Sequence, residues 1–173
     1  MSSKPLRADA RRNRERILAA ATEVFAARGA AASTEDVAAA AGVAIGTVFR
    51  HFPTKRDLLA AILKDLLADL AAAAEHDDLF TFFTRVVTAA ADKKFVVELL
   101  GEDVEVAGPV QSLGGAVDAL LTAAKAGGQV RADVRLDEVL ALLTAAGQGA
   151  LHGSWSADLR DRTLAVIFAG LRA

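Results

Sequence analysis

Apolar residues recur at three- and four-residue spacing along most of this 173-residue chain. That spacing places them on one face of an α-helix. It is clear in the first third, where a helix ending near Gly29 carries Ile17, Leu18, Ala21, Val24 and Phe25. No long stretch alternates between apolar and polar residues, as a strand exposed on one face does. The pattern therefore predicts an all-α fold.

Residues 33–55 predict two short helices joined by a tight turn. Ser33 precedes the first helix and Asp36 follows three residues later, which is the spacing of a capping box. Gly42 suits the left-handed conformation that ends many helices. The second helix is expected from about residue 45 to 52, because Pro53 cannot continue it.

The second helix has two different faces. At about 100° per residue, Val48, Phe49 and Phe52 fall on one side, and we expect them to pack inward. The opposite side carries Gly46, Thr47, Arg50 and His51. Such a side suits a DNA major groove, since arginine binds guanine edges or phosphate and glycine permits close approach. The alternative is an ordinary solvated helix face.

A third helix is expected from Lys55 to about residue 75. Thr54 and Asp57 have capping-box spacing, while Lys55 and Arg56 lie in the first turn, where the helix dipole disfavours cations. A phosphate bound at this N-terminus would explain both basic side chains, and two solvated cations are the alternative. We expect a helix junction after this helix, with Asp77 as its cap.

The second half of the chain predicts further helices near residues 111–126, 137–151 and 157–171, and a solvated loop at 101–105. The uncharged run 139–157 invites a membrane assignment, but its polar and glycine residues argue against one. We expect residues 137–171 to pair with a second copy of the chain instead. The small residues that would permit this approach are Ala145, Ala146, Gly147, Gly149 and Ala150.

Charge is distributed unevenly along the chain. Residues 1–64 contain eleven Lys and Arg against six Asp and Glu, whereas the remaining 109 residues contain nine against sixteen. The first part is therefore +5 and the second −7, which favours one domain that faces a polyanion. Residues 1–7 lack the apolar core of a signal peptide and are expected to form a loose basic arm. The absence of cysteine fits a reducing, cytoplasmic location.

Other classes of protein lack support in the sequence. An enzyme would need a convergent nucleophile and base or a set of metal ligands, and none is evident, so we expect no catalysis, cofactor or metal. A membrane-surface protein would carry its basic and apolar faces on one amphipathic helix, whereas the basic residues here cluster around a turn.

Residues 9–63 resemble the N-terminal domain of the tetracycline-repressor (TetR) family. The resemblance rests on segments 17–25, 28–29, 33–38, 41–43 and 58–59, and on residues 46–55, which read GTVFRHFPTK. It implies a three-helix, helix-turn-helix DNA-binding domain near residues 1–54. A helical domain for ligand binding and dimerisation would then occupy residues 55–173, linked by the helix that starts near Lys55.

The family resemblance also implies a function. Such proteins are usually homodimeric transcriptional repressors that bind an inverted-repeat operator and release it when a small molecule binds. Phosphate contacts would come from Ser33, Thr34, His51 and Lys55, and Ile45, Thr47 and Arg50 would lie near base edges. With Gly46 and Phe49 these complete the candidate DNA-binding residues. The alternatives are a DNA-binding protein without an effector and a helical scaffold.

Two residues depart from the family pattern. Ala44 stands where the family often has a Ser or Thr that caps the recognition helix, and Phe49 stands where it often has a Tyr. One hydroxyl contact to phosphate is therefore missing at Phe49. Both departures put part of the usual phosphate contacts in question.

Residues 79–100 suggest a place for a small, largely apolar effector. They contain four of the eight Phe residues of the chain, and an apolar pocket needs such a wall. The predicted pocket residues are Phe82, Phe83, Phe95 and Leu99. The alternative is a solid core without a cavity.

Overall fold

The structure, a computed structural model, describes residues 3–100, 107–153 and 155–173. Within these ranges the chain forms nine α-helices and one 3-10 helix, Gly29–Ala31. The α-helices are α1 (Ser3–Arg28), α2 (Thr34–Ala41), α3 (Ile45–His51), α4 (Lys55–Ala73), α5 (Leu79–Asp92), α6 (Lys94–Leu100), α7 (Ala107–Ala126), α8 (Leu136–Gly153) and α9 (Ala157–Leu171). The predicted all-α fold with an N-terminal helix-turn-helix is confirmed.

The chain divides into two compact units. The first contains residues up to Leu63 together with the described residues from Phe95 to Leu100. The second contains Lys64–Lys94 and the described residues from 107 onward. Helix α4 contributes residues to both units. The predicted domain boundary at residues 54 and 55 stays a prediction, because a compact unit is not by itself a functional domain.

The core of the first unit is built by α1, α2 and α3 with the start of α4 and part of α6. Its fully buried side chains include Ile17, Phe25, Val37, Val48 and Leu58. Because each helix presents an apolar stripe at helical spacing, α1 and the two short helices α2 and α3 can surround one core. This core fixes the positions of α2 and α3, which carry the candidate DNA-binding residues.

The core of the second unit is built around α5. One side of α5 buries Leu79, Phe82, Phe83 and Val87, so the opposite side is left to face outward. Phe168 of α9 packs on that core, with its ring centroid 5.5 Å from that of Phe83 in an edge-to-face arrangement.

The start of α1 differs from the expectation. Residues 3–7 continue α1 and do not form a loose arm. Pro5 explains why the helix tolerates this sequence: it lies in the first turn, where its missing N–H would have no intrahelical partner.

The junction after α4 also differs from the expectation. Asp78, not Asp77, caps α5, because its carboxylate accepts a hydrogen bond of 2.7 Å from the Thr81 N–H. Asp77 instead accepts two hydrogen bonds from Arg85, at 2.7 and 3.0 Å. Both residue types can cap a helix, so the sequence alone does not fix which of two neighbouring aspartates does it.

Two of the small residues expected between subunits lie inside the chain. Ala146 and Ala150 are 3% and 2% exposed, in the core of the second unit. A Cβ built on Gly149 would overlap the Trp155 ring, and one on Gly153 would lie 2.8 Å from its Nε1. Several small residues of α8 therefore serve packing within one subunit.

Two further expectations concern the second half of the chain. The loop predicted at residues 101–105 lies outside the described residues. Among the described residues, no helix is long and apolar enough to cross a membrane.

Candidate DNA-binding surface

The N-terminus of α2 is held by a reciprocal capping box, as predicted. The Asp36 N–H donates to the Ser33 hydroxyl at 3.1 Å, and the Ser33 N–H donates to the Asp36 carboxylate at 3.0 Å. Arg28 also donates to this carboxylate at 2.6 Å. These hydrogen bonds, from the Ser33 backbone first, lower the pKa of Asp36 below its ordinary value. The hydrogen bonds of Ser33 thus stabilise the N-terminus of α2.

The turn between α2 and α3 is fixed from two sides. Gly42 has a left-handed backbone with φ 63°, as expected for a helix C-terminus. The Arg16 guanidinium of α1 donates to the carbonyl groups of Ala41 and Gly42. A cation at this helix end is favoured by the dipole and satisfies carbonyls that have no partner in the helix. Arg16 therefore positions the turn.

Helix α3 begins without a side-chain cap. Ala44 has an extended backbone at the N-cap position and makes no side-chain hydrogen bond there, as its sequence requires. The first turn is closed by a backbone hydrogen bond of 2.8 Å from the Thr47 N–H to the Ala44 carbonyl. The unoccupied cap leaves N–H groups of this helix open to an external acceptor such as a phosphate.

One of the three side chains expected to pack inward from α3 faces outward. Val48 and Phe52, four residues apart, are 0% and 4% exposed, whereas Phe49 is 43% exposed. In a helix of seven residues the buried stripe is only wide enough for the residues at i and i+4, and Phe49 falls at its edge. A half-exposed phenylalanine therefore belongs to the outer surface.

The outer side of α3 is open and basic. A Cβ added at Gly46 would meet no atom within 4 Å, so an external surface can approach the backbone there. Arg50 is exposed and has no hydrogen bond or ion pair with another residue that the structure describes. Thr47 and His51 are half-buried beside it, and the His51 ring lies 6.2 Å from that of Phe52. This side offers a guanidinium group, a hydroxyl and an imidazole around a site of close approach.

The remaining candidates surround α3. Ile45 is partly buried against the core of the first unit, and the Thr34 hydroxyl donates to Glu35 at 3.3 Å. The predicted capping box of α4 is present, with hydrogen bonds of 3.0 and 3.1 Å between Thr54 and Asp57.

Lys55 is engaged within the first unit. Its ammonium group donates to the Ala32 carbonyl at 2.7 Å and to the Ala30 carbonyl at 3.2 Å. It also lies 5.2 Å from the centroid of the Phe25 ring. Lys55 thus ties the start of α4 to the segment between α1 and α2, and any phosphate would share it with these partners.

Two arginines of α1 were not among the predicted site residues. Arg16 positions the turn, and the Arg14 guanidinium lies 5.7 Å from the centroid of the Phe52 ring. Both contacts join residues more than twenty positions apart. The sequence shows that these arginines open the first helix, but no local spacing connects them to the turn.

Two families of known regulators match most of the chain. Residues 17–62 match the family described as bacterial regulatory proteins, tetR family. Residues 74–173, over half of the chain, match the C-terminal domain described as transcriptional regulator SbtR-like. The chain belongs to the TetR family of transcriptional regulators.

Solved structures of TetR regulators share this fold. A TetR transcription regulatory protein from Mycobacterium vanbaalenii is 36% identical, with a TM-score of 0.80 over 98% of this chain and 100% of that chain. The TetR regulator SCO0520 from Streptomyces coelicolor is 28% identical, with a TM-score of 0.74 over 92% of this chain and 98% of that chain.

Curated relatives match over shorter stretches. The transcriptional repressor Rv3405c of Mycobacterium tuberculosis is 55% identical over 51 residues, 29% of this chain and 27% of that protein. The repressor KstR2 of Rhodococcus jostii is 33% identical over 88 residues, 50% of this chain and 39% of that protein. The chain thus spans well under half the length of the curated relatives it matches.

The four residues of the predicted effector pocket do not share one cluster. Phe82 and Phe83 are each 1% exposed in the core of the second unit, whereas Phe95 and Leu99 pack in the core of the first. Phe82 and Phe83 contribute to the solid packing that the sequence left as the alternative.

Proposed function

We propose that this TetR-family protein is a homodimeric repressor that binds an inverted-repeat operator through α3 and releases it when a small molecule binds. The observation that carries the DNA-binding part is the outer side of α3. It combines Arg50, which has no partner among the described residues, with the open backbone at Gly46, on a helix that follows a turn held by the α2 capping box and by Arg16.

The arrangement fits base reading by a short recognition helix. A guanidinium group without an internal partner can bind the O6 and N7 atoms of guanine. The exposed Phe49 ring can contact a thymine methyl group or a sugar, since it has no hydroxyl for a phosphate. Ser33, Thr34, His51 and Lys55 are proposed to lie along the phosphates on either side.

The dimer is proposed to form through the outer faces of α8 and α9. Leu159 and Val166, two turns apart on α9, are 48% and 75% exposed. Val166 also lines a shallow groove of about 590 Å³ with Ala141 of α8 and Gly170 of α9. An apolar face of this kind in a bacterial regulator suits burial against the same face of a second copy.

Substitution of Val166 tests the dimer. Val166→Glu places a charge in the proposed contact and should convert the dimer into monomer in sedimentation at micromolar concentration. Ala72→Glu, on the exposed side of α4, is the matched control and should leave the dimer intact. Wild-type protein that sediments as a monomer would contradict the proposal.

Repression and release are proposed from relatives and from the continuity of α4. Rv3405c and KstR2 are named as repressors. Helix α4 runs from the Lys55 anchor in the first unit into the second. A ligand of the second unit can shift the DNA-bound state only by its difference in affinity for the two states. A cytoplasmic location follows from this role.

The deciding experiment selects DNA from a random pool with purified protein. We expect an inverted repeat, with affinity that falls steeply as salt is raised. Selection that enriches no sequence, together with no salt-dependent binding to any duplex, would contradict DNA recognition. If DNA binding is found but no small molecule weakens it, the protein would act as a repressor without an effector.

A further inference from the structure

The outward side of α5 lines a cavity in the second unit. The cavity has a volume of about 650 Å³, within the range of small-molecule sites. Residues of α5 line it at four-residue spacing, Thr81, Arg85 and Ala89, followed by Lys93 at the C-cap. Leu66 of α4 and Phe168 of α9 complete its apolar part. The buried side of α5 holds the core, so this cavity is supported by a packed helix.

The floor of the cavity is aromatic. The rings of Phe80 and Phe168 lie with their centroids 4.9 Å apart in a tilted arrangement. Phe168 is held from behind by its edge-to-face contact with buried Phe83. A rigid pair of rings favours an apolar ligand body and, with Leu66, gives that body a surface on which to pack.

The rim of the cavity is cationic. Three basic residues line it, Arg85, Lys93 and Arg172, against one acidic residue, Asp92. Arg85 is neutralised by its two hydrogen bonds to Asp77. The remaining formal charge of the lining is therefore +1. The neighbouring depression that shares Arg172 also contains Asp161, but that carboxylate is paired with Arg160 at 3.2 Å.

Arg172 is held in place by its surroundings. Its N–H donates to the Phe168 carbonyl at 3.0 Å, and the residues on either side of it are hydrogen-bonded to Gln129 and Arg131. Its guanidinium group lies 5.1 Å from the centroid of the Phe80 ring. In addition, the Thr81 and Thr88 hydroxyls have no partner among the described residues. A charged group and free hydroxyls thus border the aromatic floor.

From this geometry we propose that the cavity binds a small amphipathic monocarboxylate. The apolar body lies on the two phenylalanine rings and the carboxylate accepts hydrogen bonds from Arg172, with Lys93 as the second cation. A planar guanidinium matches a carboxylate in geometry and charge. A cationic ligand is disfavoured because Arg172 already covers the Phe80 ring, and a dianion would exceed the available charge. One part of this proposal rests on the proposed function, namely that ligand binding releases DNA.

Binding is tested on the free full-length protein by calorimetry with matched probes. These are 4-phenylbutanoate and decanoate, the corresponding alcohols, and decyltrimethylammonium. We expect either carboxylate to bind about tenfold or more tightly than its alcohol, and the cation to bind worst. Alcohols that bind as tightly as the carboxylates, or no binding by any carboxylate at millimolar concentration, would overturn the proposal.

Variants assign the charge to its residue. Arg172→Met keeps an apolar stem over Phe80 and should remove the preference for carboxylate over alcohol, while Arg172→Lys should retain most of it. Arg162→Met removes an exposed arginine of α9 that does not line the cavity, and it should change neither binding nor preference. Thr88→Trp should fill the cavity and abolish binding of both carboxylate and alcohol. An unchanged preference in Arg172→Met would overturn the assignment of the carboxylate to Arg172, and unchanged binding in Thr88→Trp would show that the site is elsewhere.

Release of DNA is measured separately, by fluorescence anisotropy of a selected operator. If a carboxylate binds in calorimetry but does not release the operator, the carboxylate is not the effector, although the binding site itself is supported. If the protein binds no DNA, the proposed function is wrong, and carboxylate binding in calorimetry would still support the site. The two failures are therefore distinguishable.

Discussion

The two units of this protein use similar cores but different surfaces. Both cores consist of aliphatic side chains and phenylalanine. In the first unit the outer surface is fixed by hydrogen bonds within the unit, such as the capping box of Ser33 and Asp36 and the contact of Arg16 with the turn. In the second unit the surface has an open cavity and an apolar helix face that includes Val166.

This difference corresponds to two kinds of binding. A surface that reads bases needs its side chains at fixed positions before DNA arrives, since each displaced contact loses specificity. A surface that binds a small molecule or a second subunit is completed by that partner. Matched residues of the two units, one from each, can therefore separate the two kinds of binding.

The largest expected difference is between two phenylalanines. Phe83→Ala should lower the free energy of unfolding by about 3–5 kcal/mol, because Phe83 is fully buried against Phe168. Phe49→Ala should leave that free energy nearly unchanged, because its ring is 43% exposed, and should weaken operator binding instead. Urea denaturation of both variants measures stability, and DNA titration measures operator affinity. Equal stability losses would contradict the placement of Phe49.

A second pair compares two exposed arginines. Arg50→Ala should weaken binding to the selected operator by about 1–3 kcal/mol and relax the sequence preference, if it reads a base as proposed. Arg135→Ala is the control in the second unit, where Arg135 pairs with Asp137 at 3.0 Å, and should leave operator binding unchanged. Neither variant should alter the urea midpoint. Equal losses of affinity would mean that general charge, and not base reading, governs binding.

Sequence reasoning succeeded where the determining contacts are local. The capping boxes at Ser33 and Thr54 and the left-handed Gly42 depend on residues three or four positions apart, and all were predicted. The bounds of α9 agree with the expectation for the same reason, because Ser156 caps its start.

Sequence reasoning failed where a distant partner decides. Arg16 caps α2 from 25 residues away, so its role became visible only in the structure. Helical spacing shows that Ala146 belongs to an apolar face, but it does not show whether that face packs within the subunit or between subunits. The position of Phe95 in the core of the first unit has the same origin, since its neighbours are distant in sequence.

A third pair compares two N-terminal caps. Ser33→Ala should cost about 1 kcal/mol of stability, because Ser33 both accepts from and donates to Asp36. Ser156→Ala should cost less, because among the described residues the Ser156 hydroxyl makes one hydrogen bond, accepted from the Leu159 N–H at 3.2 Å. Operator affinity should fall only in Ser33→Ala, since α2 supports the turn before α3. An equal effect of both variants on DNA would contradict that support.

The smallest expected effect is a dependence of stability on acid, which compares Asp36 with Asp77. The Ser33 hydrogen bonds, followed by the one from Arg28, lower the pKa of Asp36, and the Arg85 hydrogen bonds lower the pKa of Asp77. A carboxylate whose pKa is lower in the folded state stabilises that state above its unfolded pKa, near the ordinary value of 3.8. The contribution is lost as the pH falls through the lowered value.

Asp36→Asn and Asp77→Asn should each reduce the loss of stability between neutral pH and pH 3, because each removes one of these titrations. The Asp36 and Asp77 side chains are 32% and 11% exposed, so solvent screens Asp36 more strongly and the effect of Asp36→Asn should be the smaller of the two. Hydrogen exchange separates the two units: on acidification, protection in α2 should fall less in Asp36→Asn than in wild type, and protection in α5 should fall less in Asp77→Asn. If either substitution changed the acid response of α2 and α5 alike, each carboxylate would not stabilise only its own helix. The difference between the surfaces of the two units would then have no basis in local hydrogen bonds.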